Sequence, residues 1–168
     1  MLFVLLLGIQ LSASSRAYQV GTFADVAFAK CLAWLPVPEL EGIIAVGHLN
    51  GRILLMSVLG SGDSCNFVGR EYASKHNRQC NTLAWGSAEP YMLAAGFDKH
   101  RSEHGLILWD VAKGGHDSRH RMEAAFGDTV TSLAWFNHTH TLAAGVNSKQ
   151  LRIYDIRGRY FSNYYISE

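Results

Sequence analysis

Residues 81–110, NTLAWGSAEPYMLAAGFDKHRSEHGLILWD, alternate short apolar runs with polar turns. Asp98, His100, His104 and Asp110 lie close together here. They invite two readings: metal ligands or an acid–base set, or the turn residues of a small β-sheet. The apolar runs favour the second. Leu83-Ala84-Trp85, Leu93-Ala94-Ala95-Gly96 and Leu106-Ile107-Leu108-Trp109-Asp110 are short, rich in aliphatic and aromatic residues, and bounded by Gly, Asn, Asp, Pro or Ser. That is the pattern of strands separated by turns.

The same three elements recur in the same order, the mark of a repeat architecture. Leu32-Ala33-Trp34 and Leu133-Ala134-Trp135 flank the central copy at spacings of 51 and 50 residues. Ile44-Ala45-Val46-Gly47 and Leu142-Ala143-Ala144-Gly145 repeat the second element. Ile53-Leu54-Leu55-Met56 and Leu151-Arg152-Ile153-Tyr154-Asp155 repeat the third. A fourth strand per unit is expected at 66–72, 121–126 and 160–166. Within Leu49-Asn50-Gly51-Arg52, Asn-Gly predicts a two-residue hairpin turn with positive φ at both positions. Four antiparallel strands per fifty residues make a propeller blade, since a helical repeat needs 3.6-residue periodicity over longer segments.

LAW, then LAAG, then a turn aspartate, then a strand ending Trp109-Asp110 resembles the WD-repeat family of β-propellers. Tyr154-Asp155 is a common variant of the namesake pair, whereas the first repeat has Met56-Ser57 in its place. The Gly-His that often opens such a repeat is missing, and Gly127-Asp128 stands there before the third. The runs RQCNTLAW and LAAGFDKHR (within 75–110), with AVGHLNGRILLMSV, more specifically resemble the Mio (missing-oocyte) proteins over about residues 28–157. These are subunits of the second GATOR complex, which relays amino-acid sufficiency to the target-of-rapamycin (TOR) kinase complex at lysosomes.

The resemblance implies an all-β fold, a partial propeller of about three four-stranded antiparallel blades. The expected organisation is an N-terminal segment, 1–27, then three repeats in 28–168, at about 30–72, 79–126 and 129–166. It also implies a non-catalytic scaffold, cytoplasmic and peripheral at the lysosomal membrane. Its partners would be other WD-repeat subunits and amino-acid sensor proteins. Mio proteins continue into a helical solenoid and a Cys/His-rich zinc domain, and no such cluster occurs here, so a zinc function does not carry over. Three blades do not close a ring, so the expectation is a fragment, a truncated product or an N-terminal segment with open sheet edges.

Composition agrees with a binding module. The 168 residues allow one domain with a sizeable core, 48% are hydrophobic and 17% charged, and the formal net charge is +1. That balance gives no electrostatic case for nucleic acid or a membrane surface. Cys31, Cys65 and Cys80 are too widely spaced for a disulfide framework or a CxxC site and read as reduced, buried thiols. Leu2–Leu7 and Ile9–Leu11 followed by Ser12-Ala13-Ser14-Ser15 outline a signal peptide, but no Lys or Arg precedes them. A buried N-terminal strand or an aberrant start is the preferred reading. The sequon Asn137-His138-Thr139 matters only in a secreted chain.

No residue is assigned as catalytic, cofactor-binding or metal-ligating. His100/His104, His116/His120 and His138/His140 fall in loops, where a four- or two-residue spacing gives no shared face. Asp98 is expected to accept backbone N–H groups and clamp its turn, and Asp110 and Asp155 to end strands similarly. Gly60-Ser61-Gly62 is neither a nucleophile elbow nor part of a phosphate loop. Trp34, Trp85 and Trp135 sit at equivalent positions and are expected to pack between blades. The alternatives carried forward are a metal-dependent enzyme using the His-rich loops and a secreted β-rich binding module.

Overall fold

The computed structural model describes residues 4–8, 18–23, 26–40, 42–58, 68–113, 122–157 and 164–166. A two-stranded antiparallel sheet pairs β1 (Val4–Gly8) with β2 (Tyr18–Phe23). Three four-stranded meanders follow, each with its strands in chain order. The first holds β3 (Ala29–Trp34), β4 (Ile43–His48), β5 (Arg52–Ser57) and β6 (Glu71–Ala73). The second holds β7 (Cys80–Trp85), β8 (Met92–Phe97), β9 (His104–Asp110) and β10 (Met122–Phe126). The third holds β11 (Val130–Trp135), β12 (Thr141–Val146), β13 (Gln150–Asp155) and β14 (Tyr164–Ile166). These are three blades of a partial β-propeller.

Each Leu-Ala-Trp run forms the first strand of its blade, and β7 packs beside both β3 and β11. The three first strands carry the same irregularity, a register shift at Ala29/Cys31, Cys80/Thr82 and Val130/Ser132. A bulge there bends the strand near the blade end. The chain is clamped just past the second strand by Leu49 N–H to Phe28 O (3.1 Å), Asp98 N–H to Gln79 O (3.0 Å) and Asn147 N–H to Thr129 O (2.9 Å). Glycine recurs opposite the bulge because no Cβ fits. At Gly96 it would lie 2.7 Å from both Thr82 and Val130, and at Gly47 2.7 Å from the Cys31 and Cys80 sulfurs.

Two apolar layers hold the blades together. Ala45, Ile53 and Leu55 of the first blade, with Tyr72, meet Leu83, Trp85, Leu93 and Trp109 of the second. Met92, Leu106 and Leu108 of the second meet Leu142, Val146 and Tyr154 of the third. The alternation of side chains along each strand sends one set to each neighbour, so the central strand β8 is buried throughout.

The structure corrects several expectations. In the first blade the strand expected at 66–72 is instead β6 at Glu71–Ala73, preceded by a turn at 68–69, while residues 66–67, 121 and 160–163 of the three expected fourth strands lie outside the described residues. The segment Tyr18–Phe23 is a strand that the sequence did not single out. Val4–Gly8 is a strand, while 9–17 lies outside the described residues. At Asn50-Gly51 only Gly51 has positive φ (82°). Gly51 N–H bonds to His48 O at 3.0 Å, and Asn50 Oδ1 accepts the Arg52 N–H at 3.1 Å. The loop therefore has three residues closed by a left-handed glycine, the alternative hairpin to the primed two-residue turn.

The turn with two positive φ angles occurs instead in the third blade, at Asn147 (52°) and Ser148 (55°), closed by Lys149 N–H to Val146 O. A serine there carries left-handed strain that glycine does not. Ser148→Gly should raise the unfolding free energy by about 0.5–1 kcal/mol after glycine's entropic cost. Urea denaturation checks this, and a loss of stability would contradict the turn assignment.

Candidate functional site

The residues singled out in the sequence turn out to be mostly joints. Trp85 donates its indole N–H to Ala33 O at 3.1 Å, and Trp135 donates to Ala84 O at 3.2 Å. One inter-blade joint is thus used twice. Trp34, the equivalent side chain of the first blade, is 47% exposed where Trp85 is 7% exposed. Leu32 is 48% exposed where Leu83 is 8% exposed. With Phe28 and Leu49, also exposed, they give the first blade an apolar outer surface. Beside Phe28 lies a shallow recess walled by His48, Asn50 and the Arg52–Glu71 ion pair.

The clamps differ in detail from expectation. Asp98 Oδ1 accepts the Asn81 side-chain amide at 2.9 Å rather than a backbone N–H. The same amide reaches Val130 O of the third blade at 3.1 Å, so the pair stitches two blades. In the third blade Asn147 takes this place: its amide carbonyl accepts Thr129 N–H at 2.9 Å, and its NH2 group donates to Asp128 at 2.6 Å. Asp128 in turn holds Arg152 at 2.7 Å. Asp110 and Asp155 do end their strands as expected, accepting N–H from Ala112 (3.2 Å) and Arg157 (3.0 Å).

The Arg157 guanidinium and backbone N–H beside Asp155 hold its carboxyl down to about 2. A carboxyl depressed in the folded state contributes stability above its unfolded value, near 3.9, and loses that contribution as pH falls through its folded value. An NMR titration should therefore place the Asp155 midpoint near 2, and Arg157→Ala should return it towards about 3.9. A parent midpoint already near the unperturbed value would refute the pairing.

The histidines separate. His104 faces Glu123 at 3.0 Å and lies edge-on to Phe126. His140 faces Glu89 at 3.3 Å, and His138 sits at positive φ in the exposed turn that also carries Asn137. His116, His120 and Cys65 lie outside the described residues. His100 joins two residues that sequence reasoning missed, since His76 and Glu103 lie far from it in sequence or in an unremarkable loop. The His76 and His100 rings stack at 4.1 Å, and His76 Nδ1 lies 2.5 Å from Glu103 Oε1. Behind them the buried Arg78 approaches Glu103 at 3.0 Å. Its guanidinium donates to Asp98 O (3.1 Å) and His104 O (2.7 Å) and lies over the Phe97 ring at 4.8 Å.

The thiols of Cys31 and Cys80 are not joined in a disulfide and hydrogen-bond across the first joint, their sulfurs 3.7 Å apart. Hydrogen bonding to Cys31 and burial raise the Cys80 thiol well above its ordinary value. Among the described residues no helix is long and apolar enough to cross a membrane.

The fold is shared with known propellers. A chain from a mitotic checkpoint complex crystal structure aligns with a TM-score of 0.64 at 18% identity, covering 91% of this chain and 41% of that one. The β-propeller domain of Myceliophteria_thermophila Cps50 (Swd1) aligns with a TM-score of 0.59 at 21% identity, covering 83% and 37%. In sequence, this chain is similar to GATOR2 complex protein MIOS of Danio rerio, 36% identical over 89% of this chain and 20% of the relative. It is also similar to GATOR2 complex protein MIOS-A of Xenopus laevis (31%, 89% and 20%) and GATOR2 complex protein Mio of Drosophila melanogaster (28%, 77% and 14%). The chain thus spans about a fifth or less of the length of these relatives. The model of the MIOS WD40 repeat matches residues 8–125, well over half of the sequence. This chain therefore belongs to the MIOS WD40-repeat family.

Proposed function

We propose that the chain is a non-catalytic docking subunit of a GATOR2-type assembly, acting through a rigid frame of blades with no chemical step. Its partners on this reading are other WD-repeat subunits and amino-acid sensor proteins. Its place would be the TOR pathway, in the cytoplasm and peripherally at the lysosomal membrane. The carrying observation is the contrast between blades that share one inner-strand sequence. Leu83 and Trp85 are covered by a neighbouring blade, whereas Leu32 and Trp34 present the same chemistry to solvent. A surface shaped to receive a blade is suited to another WD-repeat protein, and aromatic anchors carry much of the energy in such contacts. Asp98 and Asp110, two of the polar residues that suggested catalysis, are engaged in clamps, which further supports a scaffold reading.

The test is affinity purification of the tagged chain from cultured cells, beside a Leu32→Ser/Trp34→Ser variant with exposed positions altered. The expected result is co-purification of other WD-repeat proteins with the parent and their loss from the variant. Retention of no WD-repeat protein by the parent would overturn the proposal.

A further inference from the structure

His76 lies in the linker from β6 to β7, and His100 and Glu103 lie in the loop from β8 to β9. The loop brings its two residues to one side because Glu103 N–H bonds back to His100 O at 3.2 Å. One potential ligand atom from each of the three residues lies within 4.8 Å of the other two. Two imidazoles and a carboxylate are a donor set suited to zinc and its neighbours, and neutral imidazole is the form that binds. The two rings stack with their centroids 4.1 Å apart, which brings both imidazoles to the same spot on the surface.

Contacts behind the cluster orient two of the ligands, as outer-shell partners do in metal sites. Arg78 lies 3.0 Å from Glu103 Oε2, which leaves Oε1 towards His76. Ser102 Oγ lies 3.1 Å from His100 Nδ1 and the Ser102 backbone N–H points at the same atom at 3.4 Å, which together hold the imidazole ring in place.

We propose that His76, His100 and Glu103 bind one divalent transition-metal ion of the zinc class, fastening the β6–β7 linker to the β8–β9 loop. His76 is half exposed, so the remaining coordination position faces solvent and takes water. The ion is a structural staple and adds no reaction, so the site stands independently of the docking role.

The full chain, prepared without a polyhistidine tag and stripped with chelator, is titrated with zinc alone by calorimetry. The expected result is one zinc per chain and a raised melting temperature. His76→Ala and His100→Ala should each weaken binding by at least about 10–100-fold. The control His138→Ala should bind as the parent does. Absence of stoichiometric binding, or variants that bind zinc as tightly as the parent, would overturn the site. Where a variant does not fold, cobalt(II) added to the parent decides: visible d–d absorption of a nitrogen-ligated ion supports the site, and an aqueous cobalt spectrum overturns it.

Discussion

Trp109→Ala should lower the unfolding free energy by about 3–5 kcal/mol, the cost of a large aromatic removed from a core that cannot collapse around the gap. Trp109 is 1% exposed and touches both sides of the first joint. Its ring lies 5.6 Å from Tyr72 of the preceding blade and 6.3 Å, edge-on, from Phe97 of its own. A loss of that size is a large share of the ~5–15 kcal/mol that stabilises a typical domain. Met56 occupies the equivalent strand position in the first blade but is only half buried. Met56→Ala should therefore cost less, about 1–2 kcal/mol. Urea denaturation of both variants measures the difference. Equal losses would mean that the two faces are packed alike, contrary to the structure.

Arg78→Met should be comparably damaging, at about 3–5 kcal/mol, because it leaves a buried carboxylate without its guanidinium. Glu103 is buried, and Asp98 O and His104 O lose their donors at the same time. The methionine keeps much of the apolar volume, so the loss reports on charge and hydrogen bonding rather than on a cavity. Arg78→Met/Glu103→Leu removes both charges and should recover part of the stability, since an apolar pair can replace a buried ion pair at little cost. A double variant as unstable as the two single losses summed would show that Arg78 and Glu103 are not coupled.

The blades were legible because a propeller writes its repeat locally. Each strand is short, each turn carries Gly, Asn or Asp, and the LAW run, the small-residue run ending in Gly and the third apolar run keep their order in all three repeats. The run RQCNTLAW, which carried the family resemblance, proves to be the joint itself. Arg78 fills the buried cluster, Gln79 O closes the bulge, the Cys80 thiol meets Cys31, Asn81 crosses to Val130, and Trp85 crosses to Ala33. The partners of these side chains were not legible, since they lie 20 to 52 residues away and nothing local marks them. His76 with His100 and Glu103 was missed for that reason, and attention went to His100/His104, whose side chains find different partners. The Asn50-Gly51 reading failed on loop length: pairing resumes one residue later than a two-residue hairpin requires, and only Gly51 needs the left-handed conformation. In the third blade that conformation falls on Asn147 and Ser148, a pair without glycine that carries a weaker turn signal.

The central claim is that one tryptophan joint is used between successive blades and is presented unused on the first. Hydrogen exchange at the indole N–H groups, followed by NMR, tests it most directly. Trp85 and Trp135, bonded to Ala33 O and Ala84 O, should exchange slowly, and Trp34 should exchange fast until partner subunits are added, when it should join the slow class. A Trp34 indole as protected as the other two in the isolated chain, or one that stays fast in the assembly, would contradict the account.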